Sequence, residues 1–454
     1  MRRWRRNGVS SVVLAGAVLA ALLPGCRSAP TSEASSWLAR AGEKGLAAPQ
    51  SPEAGGTPAS AALTRKLAEI QHLLDGRARA LLRGDRRGFL SALDREAGRD
   101  FAARQRRLFD GFQRLPLLEY GLEVSLDVFG ELTGSQELQR YGSAAQPTVL
   151  HVEQRYRLQR YDPQPALDDL FLTFVRRPGG WRVISDADLD DLTMYSGRLM
   201  WEFGPIITRE SERFLYVSHP DLAGAANAIL GAAERALDRV IDLWPLPFRR
   251  KVLILAPSES EELVRIIQAQ FDVDVFVAFA VSGLDREREW DLVGHRILLH
   301  WDNFSAQPDQ VQQSILTHEL LHIATRELSG PFVPAFVDEG VAEWVTTDAS
   351  TLLLAIRVSA GTFDRRLPLD HEFITGSNDD IINSYQESYS FISYADDQFG
   401  PNAVAEFYRR LGRPRVAPGT WRYHVDRAMR RAFGLGFGQL QRGWAEWVMD
   451  AYGG

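Results

Sequence analysis

Only one cysteine, Cys26, stands in 454 residues, so no disulfide framework is available and the fold must be held by its cores. Lysine is almost as scarce. Lys44, Lys66 and Lys251 are the only three, and arginine carries nearly all the positive charge; coding preference explains this better than phosphate recognition. No sign of charge dominates: the formal net charge is −7, and no concentrated basic stripe is evident, which argues against a nucleic-acid partner. Apolar and charged contents of 45% and 24% are ordinary for a globular chain, and this length can bury two sizeable cores. Histidine is limited to nine residues, so a pair that falls into register carries weight.

Such a pair exists. Within Pro308–Thr347 the chain reads His318-Glu319-Leu320-Leu321-His322, an H-E-x-x-H. A chance occurrence in a chain like this is expected about once in a hundred cases. Val311, Ile315, Leu316, Leu320 and Ile323 recur at three- and four-residue steps, the mark of a buried helix stripe. On that helix the two imidazoles stack on one face and can reach one metal ion. Glu319 is turned to their side, where a general base for an attacking water is needed. Gly330-Pro331 stops the helix, and a second one is expected over Ala335–Trp344, with Glu339 and Glu343 one turn apart. A catalytic zinc takes three protein ligands and leaves a position open. Glu339 supplies the third, and Glu343 is placed to accept the outer N–H of a ligand histidine and fix its tautomer.

This arrangement, HELLH followed by xxEGxAEW, resembles the gluzincin metallopeptidases, in particular the peptidase MA-like group related to the M1 aminopeptidases. The resemblance covers residues 213–454. It implies a thermolysin-like mixed sheet with a helical lobe, zinc on His318, His322 and Glu339, Glu319 as base, and a polypeptide substrate. The segment YxxSxxFxxYxxxxFG ending at Gly400 is similar to the one that carries an oxyanion-donating tyrosine in M1-like enzymes. By its spacing that residue is Tyr385, with Tyr389 the runner-up; as plain residues these and Tyr394 are aromatic packing on a helix. In the gluzincin fold the edge strand lies beside the bound peptide, a position assigned here to His295–Trp301. The M1 G-x-M-E-N motif, which holds a free amino terminus, is missing from Phe276–Val281. Endopeptidase action is therefore expected over aminopeptidase action.

The rest of this half reads as strands over Phe214–Val217, Lys251–Leu255, Val275–Ser282 and His295–Trp301. Helices are expected over Leu222–Leu243, Ser258–Ala269 (with Ser258 and Glu261 as a capping box), Leu352–Val358, Tyr385–Phe399, Asn402–Leu411, Trp421–Phe433 and Phe437–Tyr452. His295 and His300, at odd spacing, point to opposite faces of a strand and are taken as structural.

The first half opens on Arg2, Arg3, Arg5 and Arg6 followed by an apolar run, Val9–Leu23, too short and one-sided for a membrane span. It ends Leu23-Pro24-Gly25-Cys26, which resembles the bacterial lipobox. That resemblance implies a signal peptide over 1–26, lipidation of Cys26, and an exported lipoprotein held on the outer side of the cell membrane. Pro24 departs from the usual residue, so cleavage elsewhere is also open. Residues 27–60, rich in Ala, Ser, Pro and Gly, read as a flexible linker. Residues 61–195 then form an α+β domain, with helices over Ala61–Leu82, Phe89–Leu93 and Phe101–Phe112. Strands follow over Leu122–Val128, Val149–Tyr161, Leu170–Arg176 and Trp181–Ile184. Helices followed by long antiparallel strands ending in a Trp hairpin are similar to NTF2-like domains. His72 and His151 stand alone there and read as ordinary surface or packing residues.

The resulting expectation is a lipid-anchored zinc metallopeptidase with no nucleic-acid partner. Two alternatives are open: a non-catalytic binding lipoprotein that retains zinc for structure, or a zinc hydrolase of non-peptide amides. Glu319 weighs against the first, because structural zinc needs no base.

Overall fold

The computed structural model describes residues 58–453, apart from 249–250, 270, 286–290, 327, 329–332, 347–349 and 413–420. Cys26, the expected leader and nearly all of the expected linker lie outside the described residues. The chain is α+β, with one antiparallel sheet and a second, mixed sheet.

Among the described residues three helices come first: α1 (Pro58–Leu82), α2 (Arg86–Leu90) and α3 (Arg99–Phe112). A meander β1-β2-β3-β4 follows (Leu117–Glu131, Thr148–Leu158, Ala166–Arg177, Gly180–Ser185), interrupted after β1 by α4 (Ser135–Tyr141). Alternation along β2 turns Leu150, Val152, Tyr156 and Leu158 toward Ile70 and Leu74 of α1 and Phe109 and Phe112 of α3. β1 starts earlier than its apolar pattern suggests. Its first residues are paired with the end of β2 (Leu117 with Leu158, Glu119 with Arg157), and a Glu119–Arg157 ion pair stands where apolar alternation is missing.

The second sheet has the order β5-β6-β7-β9-β8 (β5 Ile207–Glu210, β6 Phe214–Ser218, β7 Val252–Ala256, β8 Ala278–Asp285, β9 Asp291–Leu299). β6, β7 and β9 run parallel; β5 and β8 close the two edges antiparallel. α5 (Ala226–Leu243) and α6 (Ser260–Ile267) lie in the crossovers. β6 and β7 are buried at every position, as parallel strands covered on both faces are. One face, with Phe214, Ile254 and Ile297, packs on the helices of this half. The other, with Leu215, Leu253 and Leu298, shares a core with the first sheet. Two glycines allow the approach. A Cβ on Gly294, whose φ is +61°, would lie 2.4 Å from Ala166 Cβ, and one on Gly283 would lie 3.0 Å from Leu167 O. Beside them Arg296 of β9 makes a buried two-point ion pair with Asp162, at 2.5 and 2.8 Å.

Eight helices complete the chain: α7 (Trp301–Ser305), α8 (Asp309–Thr325), α9 (Ala335–Thr346), α10 (Leu352–Ser359), α11 (Asn378–Phe399), α12 (Pro401–Leu411), α13 (Trp421–Phe433) and α14 (Phe437–Tyr452). Four expectations are corrected here. The edge strand is β8, because β9 pairs on both sides, with β7 and β8. His300 lies beyond β9 and caps α7, accepting from Asn303 N at 3.4 Å. Ser258 caps nothing; α6 begins at Ser260, and the Ser258 hydroxyl donates to Asp221 at 2.8 Å. His151 is not alone, since its Nε2 lies 2.6 Å from Asp169 Oδ1 on β3.

Candidate metal centre

α8 is buried from Ile315 to Thr325 on all sides. Such a helix can carry polar side chains only where partners wait for them. α9 brings those partners across. Its first N–H groups are supported by Pro334 and by Asp370, which accepts from Ala335 N at 2.9 Å. Its last carbonyls, of Val345 and Thr346, accept from Arg239 of α5 at 3.3 and 2.9 Å. The short helix is thus fixed at both ends, and with it Glu339 and Glu343.

His318 Nε2 lies 3.0 Å from His322 Nε2 and 3.1 Å from Glu339 Oε2, and His322 Nε2 lies 3.5 Å from the same oxygen. One ligand atom from each residue falls within 4.8 Å of the others, which makes this a candidate metal-binding group. The outer nitrogens each face another carboxylate, at a distance but not in the geometry of a hydrogen bond. His318 Nδ1 lies 3.1 Å from Glu343 Oε1, and His322 Nδ1 lies 3.5 Å from Asp338 Oδ1. Both contacts leave the Nε2 lone pairs directed to the common centre.

Asp338 is the residue the sequence reading missed. It also takes the Tyr408 hydroxyl of α12 as donor and lies 3.6 Å from Arg326 Nη1. Arg326 in turn reaches Ala280 O of β8 at 3.5 Å. Signals for two of these residues were present. Asp338 directly precedes Glu339, and Arg326 continues the row His318, His322 by one more turn of the same helix face. Nothing in the sequence pointed to Tyr408.

Glu319 is fully buried, and neither of its oxygens has a hydrogen-bond partner of normal geometry. Burial lifts its pKa to about 7, against the opposing pull of His318 and His322 and of the Ala280 backbone N–H. Tyr385 of α11 brings its ring to 6.4 Å from that of His318, and its buried hydroxyl is likewise without a partner. Burial, then the carboxylates of Glu339 and Glu319, hold that phenol well above its usual pKa, so it is a donor. Tyr394 is elsewhere, packed on Phe399 and Trp447.

Burial disfavours the protonated form of both ligand histidines. Glu339 and Glu343 outweigh it for His318, and Asp338 and Glu339 for His322, so both pKa values are raised. For Glu339 burial is outweighed by His322 and His318, and its pKa is lowered. Asp338 is held far below the ordinary range, burial losing to His322, Arg326 and Tyr408. The centre is therefore a converging set of two imidazoles and an ionised carboxylate that attracts positive charge. That donor set fits a divalent cation such as zinc.

His295 and His300 do not join it. The first has Nδ1 2.8 Å from the Ser282 hydroxyl, and the second has Nε2 3.1 Å from both Ser260 and Asp274. No protein-family model matches this chain, and comparison with curated proteins finds no match.

Proposed function

We propose that the chain is an exported, lipid-anchored zinc metallopeptidase of the gluzincin type, with an NTF2-like first half and a peptidase MA-like second half. One observation carries the reading. A buried carboxylate with no hydrogen-bond partner of normal geometry, Glu319, directly follows one of two histidines whose Nε2 atoms meet Glu339. A structural metal site has no use for such a group, and burying it costs stability.

His318, His322 and Glu339 would hold the ion. When bound, zinc supplies a lowered water pKa and polarisation of a carbonyl. Glu319, buried beside the two ligand histidines, is placed to take a proton from water on one carboxylate oxygen and return it to the leaving amine. The Tyr385 hydroxyl, neutral and unengaged, donates to the oxygen on which negative charge develops. Glu343 and Asp338 hold the imidazoles in the tautomer that keeps Nε2 free. Polypeptide is the substrate that the family resemblance suggests.

The test is hydrolysis of a diverse library of acetylated peptides by zinc-loaded wild type and Glu319→Gln, with zinc measured in both. Turnover should fall by roughly 10²–10⁴ in the variant, the usual share of general acid–base catalysis, with the metal retained. Equal rates would remove Glu319 from the mechanism. Inactivity of both, with metal bound, would shift the reading to a binding protein.

A further inference from the structure

The expectation that no basic stripe is present is corrected near the C-terminal end, where helix periodicity gathers a basic face. Residues 409–442 hold nine arginines and one acid, Asp426, in a chain whose net charge is −7. On α13 the exposed positions are Arg422, Tyr423, Arg427, Arg430 and Arg431, whereas Val425, Ala428, Met429 and Phe433 are buried. At 3.6 residues per turn the five exposed positions occupy one half of the helix. A merely solvated face balances its charges with acids three or four residues away. Here Asp426 takes up Arg430 at 2.8 Å, and Glu406 of α12 takes up Arg409 and Arg410. Arg422 lies over the Phe437 ring at 5.2 Å, and Arg422, Arg427 and Arg431 have no ion-pair partner among the described residues. Tyr423, in their midst, is 65% exposed.

We propose that this face of α13 docks on an anionic lipid surface. Guanidinium groups pair with phosphate oxygens two bonds at a time, and an exposed phenol settles at the boundary between headgroups and acyl chains. The choice of lipid over another polyanion rests on the anchored reading above; the charge of the face does not. Were residues 27–60 the flexible linker expected from their composition, they would hold the body roughly 30 Å from the bilayer on average. At that range an attraction too weak to capture free protein is enough to set its orientation. α13 packs through Phe433 on Phe407 of α12, at 5.1 Å between ring centroids, and the next residue, Tyr408, touches Asp338. Docking would therefore hold the metal centre about two helix layers, roughly 20 Å, from the headgroups.

The experiment floats the chain from residue 27 onward, which carries neither an acyl group nor the apolar, arginine-flanked leader expected over 1–26, with phosphatidylglycerol and with phosphatidylcholine vesicles. The expected result is a preference for the anionic vesicles that salt weakens and that falls about a hundredfold in R422Q/R427Q/R431Q, roughly fivefold per charge. The single variants R427Q and R431Q, each at an exposed position, give the same reading in smaller steps if the triple variant folds poorly. Equal binding to both lipids, or a preference kept by these variants, would overturn the proposal. So would capture by double-stranded DNA or polyglutamate without any vesicle preference, which would assign the face to those polymers instead. Membrane fractionation of the unmodified chain against Cys26→Ala tests the anchor separately, so failure of one reading leaves the other standing.

Discussion

At the scale of single residues, the candidate centre depends on groups that are not themselves among the three converging donors. Asp338 is the most consequential, because one carboxylate gathers His322, Arg326 and Tyr408. Asp338→Asn keeps the volume but loses the charge that fixes the His322 proton on Nδ1. Zinc affinity, measured by competition with a chelator, should fall about 10–100-fold, the usual cost of disturbing a ligand's outer partner. An unchanged affinity would make Asp338 a packing residue. Away from the centre, Glu387 of α11 accepts from Arg357 and Asn383, both at 2.9 Å, yet burial outweighs these bonds and raises its pKa from 4.5 to about 7. A carboxyl raised in the folded state binds more protons there than when unfolded. Its contribution to stability is therefore complete below pH 4.5 and is lost as pH climbs through 7, by about 3 kcal/mol at most. Glu387→Gln should flatten that part of the curve of denaturation midpoint against pH. A curve of unchanged slope would place the titration elsewhere.

At the scale of elements, α9 and α11 meet at Gly340, where a Cβ would stand 2.6 Å from Ser388 O and 2.9 Å from Ile392 Cγ1. The glycine beside Glu339 is thus what lets the helix bearing Tyr385 come close. Gly340→Ala should cost about 1–3 kcal/mol by overpacking, seen as a lower thermal midpoint. Turnover should drop further than that loss implies, because Tyr385 is displaced while His318, His322 and Glu339 stay put. Retained zinc with full activity would show that the helices can part without harm. The H-E-x-x-H and Glu339 helices were legible from the four-residue spacing of their motif residues and the Gly330-Pro331 break between them, and the meander strands from two-residue alternation; burial on all sides leaves α8 itself without a polar stripe. What spacing left out depends on contacts distant in sequence. β8 is the edge because β9 prefers β7, and Tyr408 joins Asp338 across seventy residues. The capping role given to Ser258 failed for a similar reason, as Asp221 of another segment took its hydroxyl.

At the scale of the whole molecule, the second sheet is covered from both halves of the chain. Cut away from the first half, residues 213–454 would expose Leu215, Val217, Leu253, Leu255 and Leu298 together. That piece should be insoluble or bind a hydrophobic dye, and a soluble, cooperatively melting fragment would contradict the shared core. Within the intact chain, Asp162→Asn strands the buried Arg296 and should cost about 3–5 kcal/mol; adding Arg296→Met should return much of it. A double variant no better than the single one would mean that the pair does more than cancel charge. The shared core also bears on the order of synthesis. A ribosome that has released Ile70, Leu74 and Phe112 has not yet made Leu253 or Leu298, on which that core closes. The first half must therefore wait, incompletely folded, until well over half of the chain has emerged. If the chain is exported, as proposed, this delay is useful, because a chain that cannot close early is still threadable when it meets the membrane.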